Sequence, residues 1–142
     1  MTYRTNEFLF DLPQGLKDKT VNIFSATDNG PSPFSLVVSR VPLLEGQTVA
    51  DYARLQVQEM QAKMPSFTLL EQSDKKVDGE PAMFLEFVWK TESGAMHQRQ
   101  ILFAIPGRKL VVMFTGTCPE PFPPEWEKAF EAAAASVKID KS

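Results

Sequence analysis

The chain has 142 residues, 43% of them hydrophobic and 23% charged, which suits one compact domain over 1–142 and excludes a disordered segment. A net charge of −3, with fifteen Lys and Arg residues in scattered positions, argues against nucleic acid as a partner. The single cysteine, Cys118, excludes an intramolecular disulfide, and the polar opening Met1–Glu7 lacks the apolar stretch of a secretory leader. No apolar run approaches the ~20 residues needed to cross a bilayer, so the expectation is a cytoplasmic protein without direct membrane insertion.

In chain order, Phe8-Leu9-Phe10 reads as a short strand stopping near Pro13 and Gly15. Val21–Ser25 reads as a second, closed by the turn cluster Asp28-Asn29-Gly30-Pro31. Phe34–Val41 is a third, ended by Pro42. The period then changes. Thr48 and Asp51 have capping-box spacing, and Val49, Tyr52, Ala53, Val57, Met60 and Met64 follow at helical intervals up to Pro65. A meander is expected next: Phe67–Glu71, the Asp78-Gly79 hairpin turn, Met83–Lys90, a turn at Ser93-Gly94, Met96–Ile105, a turn at Pro106-Gly107, and Leu110–Thr117. A second helix begins at Pro123-Pro124, with Trp126, Phe130, Ala133, Ala134 and Val137 as its apolar stripe. The fold class is therefore α+β, a mostly antiparallel sheet with two helices.

Catalytic patterns are missing. His97, the only histidine, has no second histidine or cysteine nearby to build a zinc site. Cys118 has no activating base in its neighbourhood, and Ser93 lacks the glycines of a nucleophile elbow. No phosphate-binding glycine motif is present, so neither an enzyme nor a cofactor is expected.

Strand alternation is more informative. In the third strand Phe34, Leu36, Val38 and Arg40 oppose Ser35, Val37, Ser39 and Val41, and the last strand is apolar on both sides. With both helices placed on one face, the other would carry Val and Ile mixed with small polar residues, as a dimer interface or a binding groove. Gln56 falls within the first helix's apolar stripe, where an unpaired amide is costly. Gln98 and Gln100 share one face of a central strand.

The ordered set Thr2-Tyr3-Arg4, Val21-Asn22-Ile23-Phe24, Ser35–Arg40, Asp51-Tyr52 with Gln56, and Arg99-Gln100 resembles the Eag family, the effector-associated chaperones of bacterial type VI secretion. The likeness spans nearly the whole chain and rests on the order of these pieces rather than on any one motif. It implies a PsbP/DcrB-like fold, a curved antiparallel sheet of about six to seven strands, and a homodimer. It also implies a client: the N-terminal transmembrane region of an effector carrying a PAAR spike domain, shielded before loading onto the spike complex. Carried over by position, Val21, Ile23 and Val37 would wall the groove, and Ser35, Ser39, Gln56 and Gln100 would make polar contacts. Strand parity adds Gln98. An alternative within the same fold is a domain whose groove holds a lipid or small apolar ligand.

Overall fold

The computed structural model describes residues 2–4, 9–11, 13–16, 19–27 and 32–139. Phe8 and the expected turn at Asp28–Pro31 lie outside the described residues. Near the start, β1 (Thr2–Arg4) pairs antiparallel with β2 (Leu9–Asp11). The main sheet comprises β3 (Asn22–Ser25), β4 (Ser35–Pro42), β5 (Thr68–Val77), β6 (Glu80–Thr91), β7 (Gly94–Ile105) and β8 (Leu110–Cys118). Its order is β3-β4-β8-β7-β6-β5, and every pairing is antiparallel. The helices are α1 (Val49–Lys63) and α2 (Pro124–Ala135).

Local chemistry accounts for the boundaries. Thr48 Oγ1 accepts from the Asp51 amide at 3.1 Å, and the Thr48 amide donates to Asp51 Oδ2 at 3.0 Å. Two otherwise orphaned first-turn donors are thereby satisfied. Met64 already has extended dihedrals, as expected for a residue ahead of proline. Asp78 and Gly79 have φ of 49° and 80°, the left-handed pair that a tight two-residue hairpin needs. The meander strands run longer than their apolar stretches suggest. β5 continues through Lys75 and Lys76 to Val77, because ladder pairing with β6 extends past the apolar run.

The helices cover opposite faces of the sheet, which corrects the expectation that both lie on one. α1 sets Val49, Ala53, Val57 and Met60 against Met83, Leu85, Phe87, Leu102, Val111 and Met113. α2 sets Phe130 and Ala134 against the alternate positions, including Ala82, Phe84, Ile101, Phe103 and Val112. On that second face Trp126 stacks on Phe34 with ring centres 4.9 Å apart. The central strands are apolar on both sides because each side meets a helix. Fully buried rings such as Phe87 and Phe130, each 1% exposed, contribute roughly 2–3 kcal/mol apiece by transfer from water.

Candidate functional site

Side chains directly opposite one another on paired strands share a face, so the register gathers the expected groove residues into rows. One row runs Gln98, Thr117, Ser35, Ser25 across β7, β8, β4 and β3. The next runs Gln100, Thr115, Val37, Ile23. A third runs Leu102, Met113, Ser39. Val21, one residue ahead of β3, continues the alternation of Ile23. Leu102 and Met113 belong to the cluster under α1, so all seven expected sheet residues lie on the α1 face.

Gln56 comes from the helix itself. Ala50 borders an apolar pocket with Asp74 and Pro81, on the β5 side of α1. At 100° per residue Gln56 and Tyr52 fall on the other flank of the buried stripe. Gln56 is half-buried there, beside Glu59, Met60 and Lys63. The register therefore places the seven sheet residues on one face, while Gln56 stands on α1 among its own helix neighbours.

The apolar and polar members differ in exposure. Ile23 is 71% exposed and Val21 50%, while Val37, Ser35 and Ser39 are half-buried. Gln100 is 6% exposed. Its Nε2 donates to Thr115 Oγ1 at 3.2 Å, and its Oε1 is buried without a partner. Gln98 accepts from Trp89 Nε1 at 2.8 Å and donates to Thr117 Oγ1 at 2.9 Å. Neither amide is simply solvated. Trp89, Thr115 and Thr117 were not singled out from the sequence. Continuing the alternation of β8 past Met113 would have found the two threonines, but the indole partner depends on pairing between β6 and β7.

The remaining candidates lie on the other face. His97 pairs across the ladder with Val88 and Cys118 there. Cys118 is fully buried, and burial, reinforced by the Glu120 carboxylate, pushes its thiol up to about 11 even against the nearby Arg99. That is opposite to what a thiolate nucleophile requires. Arg99, quoted above beside Gln100, turns away from it. Its Nε donates to Glu86 Oε2 at 3.0 Å, its Nη2 to Glu127 Oε2 at 3.1 Å, and its guanidinium lies 4.9 Å from the Phe122 ring centre. This ties β6, β7 and α2 together. Among the described residues no group of His, Cys, Asp and Glu could hold a metal, and no helix is long and apolar enough to cross a membrane.

Comparison with known proteins gives consistent relatives. The DcrB family model matches residues 7–136. The chain is 28% identical over 133 residues to a Pseudomonas aeruginosa protein named Effector EagT6, covering 91% of this chain and 92% of that one. A crystal structure of a Pseudomonas aeruginosa protein of unknown function superposes with a TM-score of 0.81 at 26% identity, covering 100% of this chain and 98% of that one. Cyanobacterial PsbP from Synechocystis superposes with a TM-score of 0.58 at 14% identity over 99% and 92% of the two chains. That last likeness is one of fold.

Proposed function

Because this chain belongs to the DcrB family and falls with its Eag-type members, we propose that it is a cytoplasmic chaperone for a type VI secretion effector. Its client is the N-terminal transmembrane region of an effector with a PAAR domain, which it shields before the effector reaches the spike complex. It works as a homodimer, without cofactor or catalysis.

The observation that carries this reading is the composition of the α1 face. Exposed Val21 and Ile23 and half-buried Val37 alternate with Ser35, Ser39 and the Gln98–Thr117 and Gln100–Thr115 pairs. A transmembrane helix is apolar around its circumference and aggregates in water. Aliphatic side chains on the sheet would cover that surface. Transmembrane helices also pack through small residues that bare the backbone, and polar side chains across the interface hydrogen-bond there. Val, Ile, Ser, Thr and Gln on one face offer both kinds of contact.

Co-expression with the N-terminal segment of a PAAR-domain effector from the same genome, followed by pull-down and size-exclusion chromatography, tests it. A soluble complex that vanishes when the hydrophobic helices are deleted is the expected result. A segment that stays insoluble and unbound across several candidates would remove the main support.

One observation favours a second reading, that of a small-ligand or lipid site. The pocket beneath the start of α1 has a volume of about 320 Å³ and is lined mainly by Leu43, Val49, Ala50, Pro81, Met83 and Ala104. A lipid retained in the purified protein and seen by native mass spectrometry would support that alternative.

A further inference from the structure

Gln98 has both ends of its amide engaged within the sheet, whereas Gln100 uses only its NH2 end. An indole N–H can only donate, so Trp89 takes Gln98 Oε1, at 2.8 Å. That contact fixes which end of the amide is oxygen. The other end, an NH2 group, can also only donate, so at 2.9 Å the Thr117 hydroxyl is the acceptor. The chain of bonds therefore has one direction, from Trp89 through Gln98 to Thr117, and it leaves the Thr117 O–H proton as the outgoing donor. Among the described residues no hydrogen bond uses that proton. One row away Gln100 Nε2 donates to Thr115 Oγ1 in the same sense, but no indole holds Gln100 Oε1, which is buried without a partner. Both threonines are half-buried, not sealed.

We propose that Thr117, seconded by Thr115, hydrogen-bonds to main-chain carbonyls of the bound helix, and that Gln98 and Trp89 are positioning residues that hold the Thr117 hydroxyl as a donor. The proposal rests on the transmembrane-helix reading above and deepens it. A helix carbonyl has a second lone pair beyond its own helical bond, and small side chains such as Gly leave it open to a neighbour. Donors suit this acceptor, whereas another acceptor would not. Thr115 and Thr117 sit two apart on β8, about 6.8 Å along the strand. Carbonyls four residues apart on a helix are separated by about 6 Å along its axis. A helix lying along β8 therefore offers both hydroxyls a carbonyl one turn apart. Successive bonds polarise one another, so the half-buried indole strengthens the outgoing donor.

The test uses the full chain and two carrier-fused 20-residue helices, one with a Leu-only centre and one with a Gly-x-x-x-Gly stripe. Thr117→Val should weaken binding of the striped helix by about threefold to tenfold, the worth of one hydrogen bond, and leave the Leu-only helix unaffected. Thr117→Ser, which keeps the hydroxyl, should retain affinity for both. Trp89→Phe, which frees Gln98, should show part of the same selective loss. Equal losses on both helices, or undiminished binding by Thr117→Val, would overturn the hydroxyl's role while leaving the chaperone reading intact. Wild-type protein that binds neither helix overturns that underlying reading as well. Matching thermal unfolding midpoints for all variants exclude a folding defect.

Discussion

Gly116 on β8 lies directly beneath the ring of Phe130 on α2: a Cβ at this glycine would stand 2.8 Å from Phe130 Cδ1 and 3.1 Å from Phe34 Cε1. The absence of a side chain at this position lets α2 approach the sheet closely enough to bury Phe130 to 1% exposure. Gly116→Ala should therefore lower stability by about 1–3 kcal/mol, the usual cost of overpacking. Equilibrium urea unfolding checks this. Because α2 lies across the sheet from the α1 face, binding proposed for that face should survive wherever the variant remains folded.

Ile23 and Val37 are cross-strand partners on the α1 face. Ile23→Asp should abolish co-purification of an effector's transmembrane segment while changing stability by no more than ~0.5 kcal/mol, since Ile23 is 71% exposed. Val37→Asp should also lose the client, with a larger stability cost because Val37 is half-buried. Circular dichroism melts beside the pull-down separate the two effects. Unfolding of the Ile23 variant would mean that the residue belongs to the core.

Arg99 has a side chain only 12% exposed, between Glu86 and Glu127. Arg99→Ala should cost about 1–3 kcal/mol, because it strands the partly buried Glu86 and removes the guanidinium packed on Phe122. Glu127→Gln should cost less, because Glu127 is 45% exposed and its pairing is screened by water. Thermal unfolding in low and high salt would show both losses, with the smaller more salt-sensitive.

Cys118 is sealed in the α2-side core, and its thiol is raised from 9.0 to about 11. Iodoacetamide at neutral pH should leave the native protein unmodified and label it fully once unfolded. Above pH 9 the unfolded chain loses this proton while the folded chain keeps it, so stability should fall between pH 9 and about 11. Unfolding midpoints across that window, compared with those of Cys118→Ala, isolate the contribution.

Capping-box spacing at Thr48 and Asp51, the Asp78-Gly79 turn and Pro65 were enough to locate α1 and the first meander hairpin, because each depends on dihedral preference and hydrogen bonds a few residues away. Alternation likewise assigned Ser35, Val37 and Ser39 to one face, since it is a property of a single strand. The apolar character of both faces of β8 was also plain in the residues, but which helix each face meets was not. The chain's route around the sheet decides that, and it carries α1 to one side and α2 to the other. Gln98 and Gln100 were visible as a pair, whereas their partners depend on β6 and β8 flanking β7 in one register. That register joins Trp89 to Thr117 through Gln98, across 28 residues of sequence (117 − 89). Patterns along the chain thus determined the elements and their faces. The direction of the hydrogen bonds on the α1 face, and the donors left over from them, came from residues that only tertiary pairing sets side by side.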